Sequence, residues 1–290
     1  MQSGVKMSIS SVAEKLIAGR WVAGPEIKDA LLAAKRINSA GITAILNYLG
    51  EDFSDADSVE DSLVVYLQLI SAIKRNKIKA CISVKPSQLG LKINYSTALD
   101  NYSKITAKAR KYGIFTWLDM EAHDAVDDTI RMYCHELRKG AVGICLQSYL
   151  LRSAKDAKEL AAKGAVIRLV KGAYSEGSDI AYQNRASTTE NYARIMRYLF
   201  RKSDKFMIAT HDPKMMDMAF KLSSATGKKP MYAMLNGIRN SYAAQLAKHE
   251  HVFLYVPFGA AWLPYASRRL REEGHIQLIL RSLFERQDLV

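Results

Sequence analysis

The stretch AVIRLVKGAY, residues 165–174, decides how the chain is read. Val166, Ile167, Leu169 and Val170 form the short, largely β-branched run of a strand buried on both faces. Strands of that kind belong to parallel sheets covered by helices, so the run predicts an α/β fold. Arg168 interrupts it. A guanidinium buried without a partner is costly, so Arg168 requires an anionic group inside the fold. That group is either a neighbouring carboxylate in a purely structural pair or part of a site. Lys171 and Gly172 then fall at the carboxyl end of the strand, with Tyr174 just beyond. In parallel α/β proteins this end carries the chemistry.

Outward from this strand the same alternation repeats. Towards the N-terminus, strands are predicted at 42–50, 79–85, 114–121 and 141–147, separated by helices at 59–75, 99–111 and 126–138 and followed by one at 154–163. Towards the C-terminus, a polar loop runs to about residue 187, and a helix follows at 190–201. Strands come at 205–212, 231–237 and 251–259, with Pro213 opening the helix after the first of them. A long final helix is predicted from about 263 to 283. Before the first strand, Val12, Leu16 and Ile17 form one helical stripe and Ile27, Leu31, Leu32 and Ile37 another, broken by Gly24-Pro25. Eight strands alternating with eight helices predict a distorted (β/α)8 TIM-type barrel with N-terminal helices; an open doubly wound sheet is the alternative. The expected organisation is a helical segment, 1–40, packed on a single catalytic barrel, 41–290.

With 49% apolar and 24% charged residues, the 290-residue chain has the composition of an ordinary globular protein. The net charge of +13 permits nucleic acid, anionic lipid or acidic partners. Its basic residues are spread along the whole length rather than gathered with aromatics, which argues against nucleic acid. Three separated cysteines, Cys81, Cys134 and Cys145, make neither a disulfide framework nor a zinc site and suit a reducing compartment. With no apolar leader or membrane-length run, the expected location is cytoplasmic, with any membrane contact peripheral.

The predicted strand ends carry Asn47, Lys85, Asp119, Glu121, Gln147, Lys171, Thr210, His211, Asp212, Asn236 and Tyr255. Charged groups directly after apolar runs, at so many ends of one barrel rim, point to a functional face. The final helix adds Tyr265, Arg268, Arg269 and Glu272. Adjacent arginines sit about 100° apart on a helix, and Glu272 lies within reach of either. Together they form a fork for a carboxylate or, on the plainer reading, a solvated helix face. No GxGxxG, P-loop, HExxH or GxSxG pattern is present, and no metal site is expected. A cation-rich rim suits a phosphate-bearing cofactor and a carboxylate-bearing substrate.

The ordered set RLVKGAY (168–174), LDME (118–121), IATHD (208–212), YVPFG (255–259) and RRLREE (268–273), with ILNYLGE and SVKPSQLG near the first two strands, resembles the proline dehydrogenase family. The likeness runs from about Gly24 through the last helix, and the length resembles the single-function form. The resemblance implies FAD along the barrel rim and hydride transfer from C5 of L-proline to flavin N5, giving Δ1-pyrroline-5-carboxylate. It implies Arg268 and Arg269 as the substrate-carboxylate clamp and Lys85, Asp119 and Tyr255 as completing the catalytic pocket. Ala173, Tyr174, Leu235 and Tyr265 would pack around the substrate, and Glu272 would pair with Arg268 and close the site. Gln147, Arg168, Val170, Lys171, Gly172, Thr210 and His211 would hold the flavin, and Gln183 and Arg185 its phosphate and adenosine end. The chain departs from the family pattern at Ser175, where Trp is common, at Asn236, where an aromatic is common, and at Gln183, where a hydroxyl is common. A quinone or another acceptor would take the electrons. A hydroxyproline or other cyclic amino acid oxidase, and a non-enzymatic basic barrel binding RNA or anionic membrane, are the competing readings.

Overall fold

The structure, a computed structural model, describes residues 21–262. The predicted stripe at Val12, Leu16 and Ile17 and the predicted final helix, with Tyr265, Arg268, Arg269 and Glu272, lie outside the described residues. Among the described residues the chain runs α1 (Ile27–Ser39), β1 (Thr43–Tyr48), α2 (Ala56–Arg75), β2 (Ala80–Val84), a 3₁₀ turn (Pro86–Leu89), α3 (Tyr95–Lys111) and β3 (Thr116–Leu118). It continues through a second 3₁₀ turn (His123–Ala125), α4 (Val126–Leu137), β4 (Val142–Gln147), α5 (Ser153–Ala162), β5 (Ile167–Val170) and α6 (Arg185–Lys202). Then come β6 (Phe206–Ala209), α7 (Pro213–Thr226), β7 (Met231–Leu235), α8 (Asn240–Leu246) and β8 (Val252–Phe258).

The strands form a closed parallel barrel in sequence order, β1 through β8, and β1 returns to β8 in the register Thr43↔Phe253 to Tyr48↔Phe258. The open-sheet alternative is thereby excluded. Because side chains alternate across a strand, each strand feeds two apolar layers. Leu46, Ile82, Leu118, Ile144, Leu169 and Ile208 face the helices in the outer layer. Ile45, Cys81, Trp117, Met207, Ala233 and Phe253 fill the barrel interior. Trp117 is the bulky plug of that interior. It fits because β4 carries Gly143, where a Cβ would lie 2.4 Å from the indole ring.

Several helices begin before their apolar stripes do. Asn94 caps α3 by accepting from the Thr97 N–H at 2.8 Å, and Asn184 caps α6 by accepting from the Ser187 N–H at 2.8 Å. So α3 starts at Tyr95 rather than 99, and α6 at Arg185 rather than 190. A polar first turn held by a side-chain cap has no apolar periodicity to betray it. The third strand is shorter than expected. The Asp119 N–H still bonds the Val84 carbonyl at 2.8 Å, but Met120 and Glu121 have left the strand. Ahead of the barrel, the Ala23 N–H bonds the Pro257 carbonyl at 2.9 Å and α1 lies against β1 and β8. Among the described residues no helix is long and apolar enough to cross a membrane.

Candidate active site

At the carboxyl ends of the strands lies a cavity of about 1090 Å³, counting the part open to solvent. Thirteen of the predicted site residues line it: Lys85, Asp119, Gln147, Arg168, Val170, Lys171, Gly172, Ala173, Tyr174, Thr210, His211, Leu235 and Tyr255. Period-two alternation places most of them there. The interior positions of β5, for instance, are Val166, Arg168 and Val170, two residues apart.

Arg168 is 4% exposed and answers the requirement posed by the sequence: its Nη2 donates to Asp119 Oδ1 and, at 3.1 Å, to Ser83 Oγ. Ser83 Oγ donates in turn to Asp119 Oδ1 at 2.6 Å, and the Tyr255 hydroxyl donates to Asp119 Oδ2 at 2.8 Å. The guanidinium carbon lies 5.1 Å from the Trp117 ring centre and 5.5 Å from that of Tyr255, within cation–π range. Burial by itself would weaken the charge on Arg168, but the Asp119 carboxylate outweighs it, so its pKa is raised and the group stays ionised. Its other terminal nitrogen, Nη1, is buried and has no hydrogen-bond partner among the described residues.

On the β2 side, Lys85 Nζ donates to Glu51 Oε2 at 2.6 Å, and the Tyr174 hydroxyl lies 3.4 Å from the same oxygen. Behind Lys85, Glu121 accepts from the Ser87 N–H at 2.8 Å and from Ser87 Oγ at 2.6 Å. The Gln147 amide donates to the Glu121 carbonyl at 2.7 Å. Burial pushes the Glu121 carboxyl up to about 7, against the opposing pull of Lys85 and Ser87. On the β6 side, Lys171 Nζ donates to Asp212 Oδ2 at 2.7 Å and to Thr189 Oγ1 at 3.0 Å. Burial raises the Asp212 carboxyl, but the Lys171 bond and charge prevail and hold it below its usual range. The Leu235 N–H donates to His211 Nε2 at 3.0 Å, so that ring nitrogen acts as an acceptor. Gly172 has φ +111°, and a Cβ there would lie 2.1 Å from the Tyr149 ring. Its missing side chain is required by packing as well as by the cavity.

Two predicted residues stand apart. Gln183 turns its amide onto the carbonyls of Glu176 and Ala181, at 3.1 and 2.8 Å, and Arg185 is exposed in the first turn of α6; neither lines the cavity. The structure also adds Glu51, Ser83 and Ser87, which the sequence does not place in the site, and puts Glu121, expected on the rim, behind the cavity lining. Ser83 and Ser87 carried one usable signal, being small polar residues two positions either side of Lys85.

The fold and cavity define a (β/α)8 enzyme whose pocket presents fixed, partnered cations at the strand ends. Comparison with known proteins narrows the class. The chain belongs to the proline dehydrogenase family, whose model, "Proline dehydrogenase", matches residues 30–281. Its reaction is the oxidation of proline, the first step of proline catabolism. It is 35% identical over 266 residues to the proline dehydrogenase of Deinococcus radiodurans, covering 88% of this chain and 86% of that protein. It is 30% identical over 263 residues to proline dehydrogenase 2 of Bacillus subtilis (strain 168), covering 89% of this chain and 87% of that one. Among solved structures, proline utilization A from Bdellovibrio bacteriovorus, inactivated by N-propargylglycine, has the same fold, with a TM-score of 0.83 at 20% identity. That match covers 95% of this chain but 34% of the longer one.

Proposed function

We propose that the chain oxidises L-proline to Δ1-pyrroline-5-carboxylate with FAD held along the barrel rim, in one catalytic barrel, 41–290, carrying a helical segment, 1–40. The observation that carries the cofactor reading is Arg168. Nothing in a purely structural ion pair calls for one buried guanidinium nitrogen to be saturated by Asp119 and Ser83 while the other is left with no hydrogen-bond partner among the described residues. A cavity-bound acceptor for Nη1 would satisfy it, and the ring edge of a flavin is such an acceptor.

When bound, FAD supplies the hydride acceptor for C5 of proline. The protein supplies position and field. Lys85, and by resemblance Arg268 and Arg269, hold the substrate carboxylate, which fixes the ring for attack. Tyr255, anchored by Asp119, packs over the ring, and its bulk favours proline over a ring-hydroxylated analogue. Arg168 keeps a fixed positive charge where negative charge develops, and Asp119 keeps that charge in place. Lys171, Gly172, Gln147, Thr210 and His211 present backbone and side-chain groups to the cofactor. The substrate amine must be neutral to lose hydride, so activity rises with pH on the acid side. A quinone or another acceptor would take the electrons. The +13 charge suits a cytoplasmic protein that touches an anionic membrane only at its surface.

The test is an absorbance spectrum of the purified protein before and after anaerobic L-proline. A flavin spectrum that bleaches with proline is expected. A flavin that proline leaves oxidised would remove the substrate assignment, and a protein that takes up no flavin from added FAD would remove the cofactor.

A further inference from the structure

The oxidation of proline as described leaves one buried acid without a role. Glu121 is 5% exposed and does not line the cavity, yet it stands directly behind the groups that do. Its two carboxylate oxygens are divided between the two donors of one residue, Ser87 N–H and Ser87 Oγ. Ser87 Oγ also accepts from the Asp52 N–H at 2.9 Å. Asp52 has φ 58°, in the left-handed region, so the turn that presents Glu51 is held by this bond in an otherwise unfavourable conformation. Ser87 follows Lys85 in the same turn, and Lys85 pairs with Glu51. Glu121 therefore grips, through a single serine, both members of that pair.

We propose that Glu121 is a positioning residue for proline oxidation: it pins the two turns carrying Lys85 and Glu51, and its own proton sets how much positive charge this corner offers the substrate carboxylate. The inference rests on the proposed placement of the substrate carboxylate at Lys85. With Glu121 ionised, the corner holds two carboxylates and one ammonium; with Glu121 protonated, it holds one of each. An anion binds the second state more tightly.

The other groups facing Glu121 are engaged with partners of their own or stay in one charge state. The Tyr66 phenol, from α2, is pushed far up by burial and by the nearby carboxylates, so it stays neutral. Lys92 has its pKa raised by its bond to Asp124, at 3.1 Å, and stays charged. Asp119 is saturated by Arg168, Ser83 and Tyr255. His123, two residues on, is turned to Glu176, with its N–H and its Nδ1 at 2.8 and 3.1 Å from that carboxylate. Glu121 can take up a proton in place. Oε2 continues to accept from the Ser87 N–H, and the Ser87 hydroxyl turns from donor to acceptor at Oε1.

The experiment measures the dissociation constant of tetrahydrofuran-2-carboxylate on the flavin-loaded enzyme by calorimetry, from about pH 6 to about pH 8. This probe keeps the ring and carboxylate of proline and has no amine to titrate. In the wild type its dissociation constant should rise about fivefold across that range. In Glu121→Gln it should be flat. In Ser87→Ala, which removes a bond favouring the Glu121 anion, the midpoint of the rise should move to higher pH; this variant serves if Glu121→Gln does not fold. A rise that persists in Glu121→Gln, or a midpoint unmoved in Ser87→Ala, overturns the proposal. Lys85→Met separates the two levels. It should weaken binding at every pH; binding equal to wild type would remove the carboxylate from Lys85 and this inference with it. Weakened binding in Lys85→Met beside an unaltered slope in Glu121→Gln would remove Glu121 alone.

Discussion

Two buried glutamates, one in the outer helical layer and one behind the barrel rim, are almost equally hidden from water and yet opposite in acidity. Glu136, in α4, is 0% exposed and accepts from Ser103 Oγ, Thr106 Oγ1 and Lys139 Nζ at 2.8, 2.8 and 2.7 Å, and from both terminal nitrogens of Arg110 at 3.3 Å. Burial raises its carboxyl, but these donors more than compensate, and its pKa is lowered. Among the described residues the Glu121 carboxylate accepts hydrogen bonds from Ser87 alone, and burial carries it to about 7. Exposure alone does not set the acidity of a buried acid; the number and charge of its donors are weighed against the cost of burial. At the rim, Asp119 and Asp212 are settled by donors in the same way as Glu136; Glu121 is not, and a group left near its balance point is what a site can use.

The comparison is broken most severely at Arg168. Replacing it with Met strips Asp119 of its counter-charge inside the barrel, for which a cost of about 3–5 kcal/mol is expected. The Ser83 and Tyr255 bonds to Asp119 offset part of that. Chemical denaturation should show the loss, and gel filtration should show flavin leaving the protein. Full flavin occupancy in Arg168→Met would mean that the rim uses its cations only structurally, as the helical layer does.

The second prediction concerns pH. The folded pKa of Glu121, about 7, lies above the 4.5 of the free acid. Between these values the folded state holds more protons than the unfolded one, so the contribution of Glu121 is fully present below about pH 4.5 and is lost as pH rises through about 7. The loss is about 3.5 kcal/mol at most, about 1.4 kcal/mol for each pH unit of that window. The stability difference between wild type and Glu121→Gln should therefore fall across it, as followed by denaturation at a series of pH values. A flat difference would mean that Glu121 is as settled as Glu136.

How much of this was legible in the sequence depends on the range of the interaction involved. The eight strands were, because apolar runs report burial directly. The need of Arg168 for an anion was too, because a charge inside such a run admits few solutions, and Asp119 is the one found. The first turns of α3 and α6 were not. Their starts depend on Asn94 and Asn184 accepting backbone N–H bonds, and a polar cap looks like loop. Glu121 was marked by its place at a strand end, and Ser83 and Ser87 by their spacing about Lys85, but their partners lie across strands, far apart in sequence, so no local pattern reveals the contacts. Gln183 and Arg185 show the converse: residues that family likeness assigns to a cofactor stand outside the cavity lining, because the chain between β5 and α6 turns Gln183 back on itself.

The smallest effect is expected where the charge is best satisfied. Glu136→Gln keeps the shape of the side chain and one acceptor oxygen, but it turns an amide donor towards donors. Arg110 and Lys139, whose side chains are 24% and 46% exposed, can withdraw to water, so no charge is left stranded. The Ser103 and Thr106 hydroxyls can rotate. What remains lost is about 1–3 kcal/mol of charge-assisted hydrogen bonding, with no change in flavin content or in the affinity for proline. The pH dependence has the opposite sign to that of Glu121. Because the folded pKa of Glu136 is lowered, its contribution is present above the usual glutamate range and disappears as pH falls through the folded value. The wild type should therefore hold a constant advantage over Glu136→Gln near neutrality and lose it on acidification. An advantage that instead declined from neutrality upwards would place Glu136 with Glu121, and the contrast between the two glutamates would fail.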